Sequence, residues 1–296
     1  MELNKKFIDV EGIIAKKSPR LLKWLPRFVL NWIKKKLHED FINVGMEKYK
    51  DKKGHDFNEC AIAYMGAEVM STNPDRIPTK GGLIIVANHP LGGLDGMALI
   101  KAVSQKRRDV RFIVNDILLH LKNFGELFVG VNKVGKNAGD TLRSIEEVYS
   151  SDNAVLVFPA GLVSRFQNGK ILDLDWKKSF VSQAIKHRRM ILPVFIEGKN
   201  SNFFYSLSRF RKRIGIKANV EMFLLPDEMV NQKGKLIKIH FGTPFSFSNF
   251  HSGKSHNEWA QVVKEYIYAM EGNKDLCFEQ FLDLKEKHIQ SGNSRK

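Results

Sequence analysis

Leu83-Ile84-Ile85-Val86-Ala87-Asn88-His89-Pro90-Leu91-Gly92-Gly93-Leu94-Asp95-Gly96 is the stretch on which the reading of this chain turns. Its first five residues are apolar with β-branched members, a run too short for a buried helix and suited to an interior strand. Pro90 holds His89 in extended geometry and stops a helix from starting through it. Gly92 and Gly93 allow a tight turn. Asp95 is read as the N-cap of a helix that carries Met97-Ala98-Leu99-Ile100-Lys101-Ala102-Val103. The pattern predicts a histidine at the carboxyl end of a strand and an aspartate opening the next helix. In open α/β sheets that crevice binds ligands.

Neutral imidazole takes up a proton near pH 7, and a carboxylate within reach fixes its tautomer and supports the cation that forms. The stretch contains no Ser or Cys to act as a nucleophile. His89 is therefore read as activating a hydroxyl or amine of a bound substrate. The alternative is structural: His89 bonds the loop and Asp95 caps the helix. A second stretch, Ala154-Val155-Leu156-Val157-Phe158-Pro159-Ala160-Gly161-Leu162-Val163-Ser164-Arg165, shifts the weight towards chemistry. It repeats the design of apolar strand, proline, glycine and polar residues.

Together the two stretches resemble the glycerophospholipid acyltransferase family, whose founding members acylate lysophosphatidic acid. That family carries Asn-His, four residues and Asp, and later Phe-Pro-Glu-Gly followed by Thr or Ser. The resemblance runs from about Gly81 to Pro193 and is closest to the branch labelled hemolysin-like, which includes acyltransferases of ornithine and glycine lipids. Here five residues separate His89 from Asp95, and Ala160 stands where the family has glutamate. The family's middle motif appears as Gly125-Glu126-Leu127-Phe128-Val129-Gly130-Val131-Asn132-Lys133, without its arginine.

The resemblance implies transfer of an acyl group from an acyl thioester, on acyl carrier protein or coenzyme A, to a lysolipid hydroxyl. His89 would be the general base and Asp95 its orienter, with no metal and no prosthetic group. Asn88, Gly92 and Gly93 belong to the same loop, whose backbone N–H groups would hold the oxyanion. Phe158, Pro159, Ala160 and Gly161 would shape the acceptor pocket, with Ser164, Arg165 and Lys133 as polar contacts. Without the family's glutamate and arginine clamp, the expected acceptor is a lyso-aminolipid, an N-acylated amino acid whose 3-hydroxy chain bears the free hydroxyl. The alternative acceptor is 1-acylglycerol-3-phosphate.

A chain of 296 residues can bury one substantial core with room for a small subdomain. Its 43% hydrophobic and 27% charged residues are those of a globular protein. Cys60 and Cys277 form no disulfide framework or zinc motif. No signal peptide is read at the start, and no run reaches the ~18 apolar residues of a spanning helix. The net charge of +16 asks for an anionic partner.

Residues 12–38 hold no Asp or Glu. Leu21, Trp24, Leu25, Phe28, Val29 and Trp32 recur at helical spacing among basic residues, with Pro26 kinking or splitting the segment. The pattern predicts a helix lying in an anionic bilayer interface; the alternative is a helix packed on the core with a solvated basic face. Residues 1–76 are accordingly read as a helical docking segment and 77–296 as an α/β catalytic domain, with a mainly parallel or mixed sheet flanked by helices. The protein is expected peripherally, on the cytoplasmic face of the membrane.

Three other features of the sequence bear on function. Gly130-Val131-Asn132-Lys133-Val134-Gly135-Lys136-Asn137 nearly spells a phosphate-binding loop, but Asn137 replaces the hydroxyl that holds Mg²⁺. No Gly-x-Ser-x-Gly elbow is present, which argues against an α/β-hydrolase. Residues 177–217 are strongly basic and include Phe203-Phe204-Tyr205 and Phe210, yet carry no RNA-binding signature. Phospholipid headgroups or an acidic acyl carrier protein fit that charge, and no nucleic-acid partner is expected.

Overall fold

The computed structural model describes residues 6–115, 118–130, 138–167 and 169–293. Four short helices come first: α1 (Val10–Lys17), α2 (Pro19–Trp24), α3 (Arg27–Lys36) and α4 (Glu39–Lys48). Pro26 does split the basic segment, because it cannot donate within a helix, and α3 restarts directly after it. α5 (Gly54–Met65) and β1 (Glu68–Thr72) follow. The first stretch then forms β2 (Leu83–Ala87) and α6 (Gly93–Ser104). Next come β3 (Val110–Val114), β4 (Phe128–Gly130), α7 (Ala138–Ser150) and β5 (Ala154–Val157). A hairpin, β6 (Arg165–Gln167) and β7 (Lys170–Leu172), precedes α8 (Ser179–Lys186) and β8 (Met190–Ile196). The chain closes with α9 (Asn202–Arg213), α10 (Leu225–Val230), β9 (Leu236–Phe241), α11 (His256–Ala269) and α12 (Phe278–Asn293).

Seven strands form one sheet in the order β1-β9-β8-β2-β5-β3-β4. Every pairing is parallel except β8 with β9. β2 lies at the centre and all five of its residues are buried, as expected of a strand covered on both faces. Side-chain alternation divides the core in two. Leu83, Ile85 and Ala87 pack with α5 and α6, while Ile84 and Val86 pack with Phe180 of α8 and Trp259, Val263 and Tyr266 of α11. The chain is thus α/β with helices on both faces of a mostly parallel sheet.

The division at residue 76 does not follow the packing. β1 pairs with β9, and Phe57 and Ile62 of α5 belong to the core beneath α6, so α5 and β1 belong with the sheet. α5 ends at Gly66, which adopts the left-handed conformation at φ 64°.

Candidate active site

β2 ends at Ala87, and His89 lies on the α6 side of the sheet, two residues on from Ala87. Its ring is partly buried and stacks on Phe158, with centroids 4.3 Å apart and planes 15° from parallel. His89 Nδ1 lies 2.9 Å from Asp95 Oδ2. The five-residue spacing therefore brings the pair together. Gly92 makes this possible by adopting φ 86°, ψ −138°, which a side chain would resist, and a Cβ there would crowd Leu225 at 3.3 Å.

Asp95 is not the N-cap. The helix starts at Gly93 after Gly92, so Asp95 occupies its third position and reaches back. Its Oδ2 accepts the N–H groups of Leu91 at 2.8 Å and Gly92 at 3.0 Å besides the imidazole. Oδ1 is buried with no partner among the described residues. Burial pushes the Asp95 carboxyl above its ordinary range, against the pull of His89 and the two backbone donors. With Nδ1 held by a carboxylate, His89 Nε2 is left without a hydrogen-bond partner among the described residues. The arrangement suits a base that receives a proton on Nε2 while Asp95 steadies the imidazolium. The Leu91 and Gly92 N–H groups are committed to Asp95, which removes Gly92 from the expected oxyanion donors; Gly93 stands exposed at the start of α6.

The two sequence stretches meet at Asp173, which the sequence reading missed. This buried carboxylate accepts the His89 N–H at 3.2 Å, the Ser164 hydroxyl at 2.6 Å and Trp176 Nε1–H at 2.9 Å. Its own N–H donates to the Tyr268 hydroxyl at 2.8 Å. Ser164 N–H donates to His89 O at 2.8 Å, closing the link between the loops. Ser164 is thereby a brace between loops, not an open polar contact.

The other predicted residues fall into distinct places. Asn88 is buried and exchanges two hydrogen bonds with the backbone of Ile196, pinning β2 to β8. Pro159 and Ala160 are buried, and Ala160 joins the core on the far face. Gly161 turns at φ 67°, and a Cβ there would lie 3.0 Å from Lys177 Nζ. Lys177, unremarked in the sequence beyond its charge, thus overhangs the Phe158–Gly161 turn.

Arg165 is not available to an acceptor. Its guanidinium is buried in an ion pair with Glu221, 3.0 Å away, and also donates to Val163 O. Arg211 reaches the same carboxylate at 2.8 Å. Burial alone would raise Glu221, but its backbone hydrogen bond and the two guanidiniums outweigh it and hold the carboxyl below its ordinary range. Lys133 and most of the near phosphate-binding loop lie outside the described residues. A cleft of about 540 Å³ borders the catalytic loop, lined by Asn88, Pro90, Ser164, Lys199 and Tyr268 among others. Among the described residues no His, Cys, Asp and Glu cluster could hold a metal ion.

A sequence model described as acyltransferase matches residues 12–276. The chain belongs to the acyltransferase family. This acyltransferase is 40% identical over 264 residues to the lyso-glycine lipid O-acyltransferase of Bacteroides thetaiotaomicron, covering 89% of the chain and 97% of that relative. It is 38% identical over 264 residues to the lyso-glycine lipid O-acyltransferase of Phocaeicola vulgatus, covering 89% and 95%. Among solved structures it is similar to the 1-acyl-sn-glycerophosphate acyltransferase PlsC from Thermotoga maritima, at 20% identity and a TM-score of 0.45, over 73% of this chain and 78% of that one.

Proposed function

We propose that this acyltransferase esterifies the free hydroxyl of a lyso-aminolipid, taking the acyl group from a thioester of acyl carrier protein or coenzyme A. The observation that carries the reaction is the open Nε2 of His89, set opposite an Nδ1 held by buried Asp95. Nε2 takes the acceptor's hydroxyl proton as its oxygen attacks the thioester carbonyl carbon. Collapse of the tetrahedral adduct breaks the C–S bond, and the imidazolium returns the proton to the departing thiolate. Gly93 N–H, at the positive end of α6, is placed to meet the oxyanion.

The choice of acceptor is supported by the names of the two bacterial relatives and by the missing arginine-glutamate clamp. Lys177 above the Phe158–Gly161 turn offers a single positive charge to a carboxylate head group. The reaction is tested by giving the purified protein a labelled acyl thioester with a panel of lysolipids and identifying products by mass. Acylation of lyso-glycine or lyso-ornithine lipid is expected; acylation of lysophosphatidate alone would overturn the acceptor assignment.

A membrane-surface location is part of the proposal. Trp24 and Phe28 are 87% and 75% exposed, and Leu21 and Trp32 are exposed as well, so this apolar stripe faces away from the core. Basic residues beside outward aromatics suit an anionic bilayer interface. No helix of the described residues is long and apolar enough to cross a membrane. The cytoplasmic face is the side on which both thioester donors are supplied.

A further inference from the structure

We propose that the lobe between β8 and β9 is a second bilayer contact, which seats the catalytic loop against the lipid surface; this rests on the membrane reading above. The lobe comprises α9, a 3-10 turn at Val220–Leu224, and α10. α9 is amphipathic in an unusual sense. Phe204, Tyr205, Ser208 and Arg211 turn inward, while Phe203 and Phe210, two turns apart on the outer face, are 58% and 59% exposed. Phe223 is 68% exposed, and Ile214 and Ile216 stand out of the loop after α9. Large apolar groups grouped on a surface mark an interaction site.

The charge around them indicates the occupant. Residues 202–220 contain no Asp or Glu. Arg209, Lys212, Arg213 and Lys217 make no ion pair among the described residues, while Arg211 alone is spent on Glu221. Cations interleaved with outward aromatics are what an anionic bilayer interface accepts. Docking of an acidic carrier protein would use the cations and leave the outward aromatics unexplained.

The lobe also continues the amino-terminal surface. Lys36 and His38 both bond Asp227, at 2.7 and 2.9 Å. Trp32 lies four residues before Lys36 and Phe223 four before Asp227, so each side of this junction carries an exposed aromatic close by in the chain. On its inner side the lobe is fastened to the catalytic loop. Asn200 Nδ2 donates to Pro90 O at 3.1 Å, and Val163 shares a small core with Phe204, Tyr205 and Leu224.

The test is sedimentation with phosphatidylethanolamine vesicles containing phosphatidylglycerol. The F203S/F210S/F223S protein is expected to bind about tenfold or more weakly, with unchanged turnover of acceptor presented in detergent micelles. A bimane label at F223C, in a C60S/C277S background, is expected to be quenched by lipids brominated on their acyl chains. A bound but unquenched label, or unchanged vesicle binding of the triple variant, overturns the second contact. So does loss of acyl carrier protein capture with vesicle binding intact. A W24S/F28S/W32S protein separates the two ideas. If it loses binding and the lobe variant does not, the membrane reading stands without the lobe; if neither loses binding, both fail.

Discussion

Replacing Asp95 by Asn isolates the charge of the carboxylate held against His89 from its shape. Leu91 and Gly92 N–H both aim at Oδ2, so an amide nitrogen there would set donor against donor. The amide oxygen must take that place, where it still accepts from His89 Nδ1–H. The productive tautomer survives and only the negative charge opposite the imidazolium disappears. Unit charges about 4 Å apart at an effective dielectric near 20 attract by about 4 kcal/mol, and about 1.36 kcal/mol is a decade of rate, so kcat should fall by about 10³. Removing the base in His89→Ala should cost about 10⁴. Thiol release from an acyl thioester with a lyso-aminolipid acceptor measures both. D95N within threefold of wild type would refute the role of the charge; D95N as inactive as H89A would refute the retained tautomer. Stability gives a second readout. Burial raises the Asp95 carboxyl above its ordinary 3.8, so the folded state favours the protonated form. That contribution is complete below 3.8 and is lost as pH rises through the raised value. D95N should lack this fall, and parallel melting curves for variant and wild type would contradict it.

Three further outcomes follow from the packing. Arg165→Met strands the buried Glu221 beside Arg211 and should destabilise by about 3–5 kcal/mol in denaturant unfolding, with little change in acceptor KM for the protein that remains folded. Glu221 is held below its ordinary 4.5, so its contribution is present above that pH and is lost as pH falls through the lowered value. The stability gap between wild type and E221Q should therefore narrow as the pH falls below 4.5. Lys177→Met should raise the KM for an acceptor bearing a carboxylate by about tenfold, the size of one partly exposed charge-assisted contact, while kcat holds; an unchanged KM removes Lys177 from acceptor binding.

What could be read along the chain was what local pattern determines. β2, the loop and α6 were legible because an apolar run, Pro90 and two glycines each restrict the backbone on their own. β1 was not, because Glu-Val-Met-Ser-Thr at a sheet edge is half exposed and shows no apolar alternation. Arg165 looked like a surface cation because its partner Glu221 lies 56 positions away. Asp173 gave no signal at all: its value comes from the donors His89, Ser164 and Trp176, which lie at separate places along the chain. The outward Phe203 could not be told from the inward Phe204 until the helix had a direction to face.

The antiparallel pairing of β8 with β9 has a consequence for how such a protein can change. Ile196 at the end of β8 is matched with Ile239, and Glu197 N–H bonds Lys238 O. Departure and return of the chain are therefore clasped together, and everything between them is a closed detour. Its outward residues can be exchanged without moving any strand by a single register step, so long as Asn200, Phe204 and Glu221 keep their inner contacts. Such a protein can be refitted for a new surface while the machinery that performs its chemistry stays where it was.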